Sequence, residues 1–258
     1  MSDVADATVV GRLRAAGCVF AEEEAELLYG AASGPGELDA LVRRRAAGEP
    51  LEHVVGWAAF AGLRIEVGPG VFVPRRRTEF LVERAVALAR PGAVCVDLCC
   101  GSGAAAAVLL DRVAGAVVHA ADIEPAAVAC ARRNVEPRGG RVYGGDLFAP
   151  LPGELRGRVE VLVANVPYVP SGEVGLLPAE AREHEPLVAL DGGADGLDVL
   201  RRVAAGAPEW LAPGGRLLFE TSGRQAEAAV RAVGAHGLRA GVVADEEWGA
   251  TVVVATLS

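Results

Sequence analysis

From residue 91 onward, short apolar runs alternate with longer stretches patterned for helices. That rhythm leaves few folds open beyond a parallel sheet with helices on both faces. Residues 93–98 (AVCVDL) are apolar on both sides, as a strand buried on two faces requires. Residues 116–122 and 159–164 repeat the pattern, a short third strand is expected at 141–143, and a fifth at 215–220. Helices are expected between them: one running to Leu110, one over 125–134 with Pro125 in its first turn, one over 197–210 and one over 225–235. Residues 238–244 and 251–257 read as two closing strands, antiparallel to each other. The expected fold is an α/β, doubly wound sheet with ligands at the carboxyl ends of its strands.

The first 90 residues read differently. Val9, Leu13, Ala16 and Val19 recur at helical spacing, as do Leu38, Leu41 and Val42, with a break at Ser33-Gly34-Pro35-Gly36. Residues 1–55 are therefore expected as a small helical domain, too short to bury a large core alone. Residues 56–73 read as a β-hairpin linker, and 74–258 as the main domain. A helix is expected from Phe80 to Arg90, with Thr78 as its cap. The runs Arg43-Arg44-Arg45 and Arg75-Arg76-Arg77 read as solvated charge.

Composition narrows the function classes. The net charge is −9 and the chain contains no Lys, which speaks against a dedicated nucleic-acid binder. The five Cys include no CxxC pair, and the four His show no metal spacing. Neither a zinc site, nor any other metal site, nor a disulfide framework is expected, and a reducing cytoplasm fits. The first residues lack a basic segment followed by an apolar one, and no apolar run reaches the roughly 20 residues of a membrane span.

Ligand-type residues stand at four successive strand ends. Asp97 leads into Cys99-Cys100-Gly101-Ser102-Gly103, where the glycines let backbone N–H groups approach a ligand or let a helix pack tightly on the strand. Asp122 is placed either to accept from ribose hydroxyls or to cap the helix near Pro125. Asp146-Leu147 follows the third strand, where a carboxylate suits an exocyclic amine. Asn165-Val166-Pro167-Tyr168 follows the fourth. Pro167 pushes Val166 into an extended conformation, so that the Asn165 side-chain carbonyl and the Val166 carbonyl can face one point. Two acceptors at one point suit a group with two N–H donors, and Tyr168 can flank a planar group. An ordinary strand-ending turn is the alternative. A GxSxG nucleophile elbow is absent, and Gly101 to Ala106 lacks the third Gly of a dinucleotide fingerprint.

Taken together, VDLCCGSGAAAA, GDLFAPL, LVANVPYVP, EHEPLVALDGGADGLDVLRRV and LAPGGRLLFETS resemble the class I, S-adenosylmethionine-dependent protein-(glutamine-N5) methyltransferases of the HemK/PrmC type, which modify peptide-chain release factors. The similarity covers nearly the whole chain, including the helical start and hairpin. It implies a Rossmann-like methyltransferase sheet, S-adenosyl-L-methionine as cofactor and S-adenosyl-L-homocysteine as product. By position it implies that Asp97, Cys99, Gly101 and Gly103 surround the methionine and ribose part, with Asn165 also touching the cofactor. Asp122 and Ile123 would hold the ribose, and Asp146 and Leu147 the adenine end. Asn165, the Val166 carbonyl, Pro167 and Tyr168 would hold the substrate amide beside the cofactor, with Arg75 on the substrate side. The implied partner is a protein substrate such as a release factor, without stable nucleic-acid or membrane binding. Three departures bear on this: Cys99 stands where the family has Gly, PRRRTE replaces PRPETE so that Arg76 and Arg77 stand for Pro and Glu, and NVPY replaces NPPY. Methylation of a small molecule or of nucleic-acid adenine, and a non-catalytic adaptor, are the competing functions.

Overall fold

The computed structural model describes residues 2–258, with side chains from Thr8 onward; Met1, at the start of the expected helical domain, lies outside the described residues. Four helices open the chain: α1 (Ser2–Ala15), α2 (Ala21–Ala31), α3 (Pro35–Ala46) and α4 (Leu51–Val55). Their apolar faces meet around Leu13, Leu28, Val42 and Val54. In the run at 43–45, Arg43 is solvated as expected, whereas Arg44 and Arg45 are half-buried. The Arg45 side chain is 12% exposed and pairs with Glu24 at 2.6 Å, and Arg44 pairs with Glu49 at 2.7 Å. Packing of α2 on α3 brings the buried Glu24 to the last turn of α3, and a buried carboxylate needs that partner.

The antiparallel hairpin is shorter than expected. It joins β1 (Trp57–Phe60) to β2 (Leu63–Glu66), and residues 67–75 continue as a strap without regular structure. His53 Nε2 donates to the Val71 carbonyl at 2.8 Å and so ties this strap to α4. The next helix, α5, spans Arg76–Leu88. Thr78 does not cap it: Arg75 occupies the cap position, and the Thr78 hydroxyl is drawn from the first turn to a buried carboxylate, Glu220, at 2.8 Å.

The strand–helix alternation then runs β3 (Val94–Leu98), α6 (Ala104–Arg112), β4 (Val117–Asp122), α7 (Pro125–Val135), β5 (Arg141–Gly144), β6 (Val159–Ala164), α8 (Ala179–His184), α9 (Asp198–Trp210), β7 (Leu211–Glu220), α10 (Ala226–Gly234), β8 (Leu238–Asp245) and β9 (Ala250–Leu257). Seven strands form one sheet in the order β5-β4-β3-β6-β7-β9-β8. The first five are parallel to their neighbours; β9 pairs antiparallel with both β7 and β8. This is the expected doubly wound sheet with an antiparallel closing pair. Each face is covered by its own core, one built on Leu81, Leu109 and Val161, the other on Leu162, Leu200 and Phe219. From β3 the chain winds outward through β4 and β5, then returns to place β6 on the other side of β3. The crevice for a ligand therefore opens at the carboxyl ends of β3 and β6, where the winding reverses.

Candidate active site

A cleft of about 440 Å³ lies at that reversal, within the size range of small-molecule sites. One end is lined by Asp97, Cys99, Gly101, Asp122 and Ile123, the other by Asn165, Val166, Pro167 and Tyr168, with Arg75 and Arg77 on the wall between strap and α5. Gly103, Asp146 and Leu147 are not among the lining residues.

At the first end, Asp97 closes β3 fully buried and accepts the Ala106 N–H at 3.1 Å. Burial pushes its carboxyl up to about 7. Asp122, at the end of β4, accepts the Gly101 N–H at 2.8 Å and the Glu124 N–H at 2.9 Å. Burial raises its carboxyl too, against the pull of those two N–H groups. Its role is thus to hold the loops after β3 and β4; the cap position of α7 belongs to Glu124. Cys99 adopts a left-handed φ of 54°, a conformation that costs a residue with a Cβ on the order of 1–2 kcal/mol. A Cβ on Gly101 would meet open space, whereas one on Gly103 would stand 2.7 Å from Val135. Gly101 therefore faces the cleft, and Gly103 lets α6 pack against α7. Ile123 is 54% exposed and offers an apolar face beside the Asp122 carboxylate.

Asp146 contacts Arg202 of α9, and Leu147 packs against the core beneath it. The two lie one strand further out than the cleft lining.

At the second end, Asn165 leaves β6 half-buried, and its side-chain amide makes no hydrogen bond among the described residues. A cleft-lining amide without a protein partner is available to a ligand. The loop that carries it is braced from behind. The Val169 N–H donates to the Leu190 carbonyl at 3.1 Å, the Gly192 N–H to the Val169 carbonyl at 2.8 Å, and Gln225 Nε2 to the Tyr168 carbonyl at 2.9 Å. Gly192 comes so close that a Cβ there would sit 2.6 Å from the Pro167 carbonyl oxygen.

Arg76 and Arg77 keep the expected exposure to solvent, while Arg75 is half-buried, and both Arg75 and Arg77 hold buried carboxylates. Arg75 Nη2 donates to both oxygens of Glu185 at 2.6 Å, and the Val73 N–H adds a third bond at 3.1 Å. Burial raises the Glu185 carboxyl and Arg75 opposes that rise. Arg76 stands over the Trp248 ring at 5.8 Å, and Arg77 pairs with Glu220 at 2.7 Å. Three buried or half-buried groups from distant segments thus claim the three guanidiniums. Sequence reading missed these partners, along with Gln225 and Gly192. Glu185 stands in EHEP, Gly192 in DGGADG and Glu220 in LLFETS, while Gln225 and Trp248 stand in none of these runs.

The cleft is acidic on balance. Glu52, Asp97, Asp122, Glu124, Glu180 and Glu185 line it against Arg75 and Arg77, which favours a cationic ligand. Among the described residues no group of three His, Cys, Asp or Glu is arranged to hold a metal ion, and no helix is long and apolar enough to cross a membrane.

Comparison with known proteins bears on this site. The family model for the methyltransferase small domain matches residues 63–177. A release factor glutamine methyltransferase of Mycolicibacterium smegmatis is 46% identical over 195 residues, covering 73% of this chain and 68% of that protein. A 4-amino-L-phenylalanine/4-methylamino-L-phenylalanine methyltransferase of Streptomyces pristinaespiralis is 42% identical, covering 69% of this chain and 63% of that one. The alignments span about two thirds of such relatives' own lengths. A solved methyltransferase structure from Pyrococcus furiosus shares the fold, with a TM-score of 0.58 at 17% identity over 77% of this chain and 90% of that one.

Proposed function

We infer that this chain, which belongs to the release factor glutamine methyltransferase family, transfers a methyl group from S-adenosylmethionine to the side-chain amide nitrogen of a glutamine in a protein such as a release factor. The residues at the β3–β4 end fit the cofactor. Gly101 leaves its backbone open to the cleft, Asp122 keeps lone pairs free for ribose hydroxyls beside its two N–H donors, and Ile123 offers an apolar face to a planar base. Bound there, S-adenosylmethionine supplies a methyl group activated by a sulfonium, and S-adenosylhomocysteine remains.

The unpartnered Asn165 amide carries the inference. An amide nitrogen is a weak nucleophile because its lone pair is delocalised, so the site's work is positioning. The Asn165 side-chain carbonyl and the Val166 carbonyl accept the two N–H bonds of the substrate amide and aim its nitrogen along the cleft. The same acceptors stabilise positive charge as it grows on that nitrogen. The surplus proton leaves to water once the new N–C bond has formed. Pro167 stiffens the turn, and Tyr168 bounds the planar group at the far side.

One observation favours a second substrate class, a small aromatic amine: Phe60, Phe72 and Tyr168 all line the cleft, and an aromatic NH₂ also offers two donors on a planar frame. Incubation with S-adenosylmethionine and purified release factor, followed by mass spectrometry of the loop peptide carrying Gly-Gly-Gln, separates the two. A methylated glutamine is the expected result. Cofactor binding with no methylated release factor, and methylation of 4-amino-L-phenylalanine in its place, would move the assignment to the aromatic amine.

A further inference from the structure

The Tyr168 hydroxyl has both of its roles filled within the protein. Its Oη donates to Glu220 Oε1 at 2.9 Å and accepts from Arg77 Nη2 at 2.7 Å. Arg77 Nε donates to the same Glu220 oxygen at 2.7 Å, and Thr78 donates to the other at 2.8 Å. The four residues come from three places: Arg77 and Thr78 from the first turn of α5, Tyr168 from the loop after β6, and Glu220 from the end of β7. Glu220 is 2% exposed, so its charge is compensated inside this cluster. Arg77 and Tyr168 face the cleft and Glu220 stands behind its lining.

We propose that Arg77 is a positioning residue for the substrate end of the cleft, pinning the Tyr168 phenol against Glu220 so that Tyr168 presents its ring face, and not its hydroxyl, to the substrate's planar nitrogen-bearing group. The identity of that group rests on the amide-methylation function inferred above; the cluster of bonds does not. Tyr168 cannot swing into the cleft without leaving a buried carboxylate short of a donor. The guanidinium reaches phenol and carboxylate at once because its N–H groups diverge in a fixed plane, which an ammonium group cannot reproduce. A carboxylate at this position would face Glu220 with like charge. Arg77 therefore sets how the substrate wall is held, and Tyr168 is a rigid planar surface. A flat amide or aromatic amine can lie against it; a group that needs a hydroxyl partner at that point finds none.

The test compares the wild type with Arg77→Met, Arg77→Lys, Tyr168→Phe and the Arg77→Met/Tyr168→Phe pair. Three readouts are taken: the ring resonance of Tyr168 in ¹³C-tyrosine-labelled protein, S-adenosylhomocysteine affinity by calorimetry, and methyl transfer to a Gly-Gly-Gln release factor peptide. With three tyrosines in the chain, Tyr168→Phe assigns the resonance. Arg77→Met is expected to shift or broaden that resonance and to raise the peptide KM about tenfold, with S-adenosylhomocysteine affinity and kcat within about twofold of wild type. Arg77→Lys is expected to restore only part of the loss, and the double variant to be no worse than the worse single one, since both act through the same phenol. An unchanged Tyr168 resonance in Arg77→Met overturns the proposal, as do penalties that multiply in the double variant or a parallel loss of cofactor affinity. Should Arg77→Met fail to fold, Arg77→Met with Glu220→Gln removes both charges and takes its place. If the wild type leaves the peptide unmethylated, the inferred function fails, and the resonance alone decides the positioning role.

Discussion

The Asp122 carboxylate accepts the Gly101 N–H at 2.8 Å, so the end of β4 holds the loop that leaves β3. One acid thereby shapes the end of the cleft to which we assign the cofactor, and its remaining lone pairs face that proposed site. Asp122→Ala removes both contributions. Calorimetry with S-adenosylhomocysteine is expected to show affinity falling by about 1.5–3 kcal/mol, the scale of hydrogen bonds to a charged group. Asp122→Asn keeps the shape and is expected to lose less. Unchanged affinity in Asp122→Ala would remove this residue from the site.

The two glycines of the loop after β3 are expected to separate binding from stability. Both have positive φ, 55° at Gly101 and 78° at Gly103. Gly101→Ala places its Cβ in open cleft, so the fold loses only about 1 kcal/mol of stability to backbone strain while cofactor binding drops sharply. Gly103→Ala drives a Cβ into Val135 and Ala131, and its main effect is a loss of stability on the order of 2 kcal/mol or more. Urea unfolding beside calorimetry reads both. Equal loss of stability in the two variants would contradict this division.

Those glycines also mark what a sequence can disclose. Apolar runs disclosed the parallel strands, because a strand buried on both faces has no polar side to interrupt it. Strand ends disclosed Asp122 and Asn165 as residues of the cleft lining, because the winding reversal opens a crevice there. Gly101 and Gly103 look alike in sequence, and only the approach of α7 separates a cleft glycine from a packing one. The run at 75–77 read as solvated because a charged side chain's partner can lie more than 100 residues away, as Glu185 does from Arg75 and Glu220 from Arg77. Thr78 looked like a helix cap for the same reason. Local pattern does not show a long-range buried carboxylate.

The buried Asp97 gives the cofactor-free protein a pH dependence. Its carboxyl sits at about 7 in the folded chain against 3.8 for the ordinary group, so the folded state holds the proton more tightly than the unfolded one. Below about pH 4 both states are protonated and Asp97 costs nothing. As pH rises from about 4 to 7 the unfolded chain releases its proton first, and stability falls until the folded group also ionises. Asp97→Asn resembles the protonated acid in shape. Thermal melts are expected to show the variant level with wild type near pH 4 and more stable at pH 8, by on the order of 2 kcal/mol or more. A gap that does not widen over this range would show that Asp97 is ionised in the fold.

The central claim is that Asn165 orients the substrate nitrogen and leaves cofactor binding to the other end of the cleft. Asn165→Ala, assayed for S-adenosylhomocysteine affinity and for methyl transfer to release factor, tests it most directly. Affinity near that of wild type is expected, with turnover reduced by about 10²-fold or more, the scale of removing an acceptor that acts mainly in the transition state. Full turnover in Asn165→Ala would contradict it.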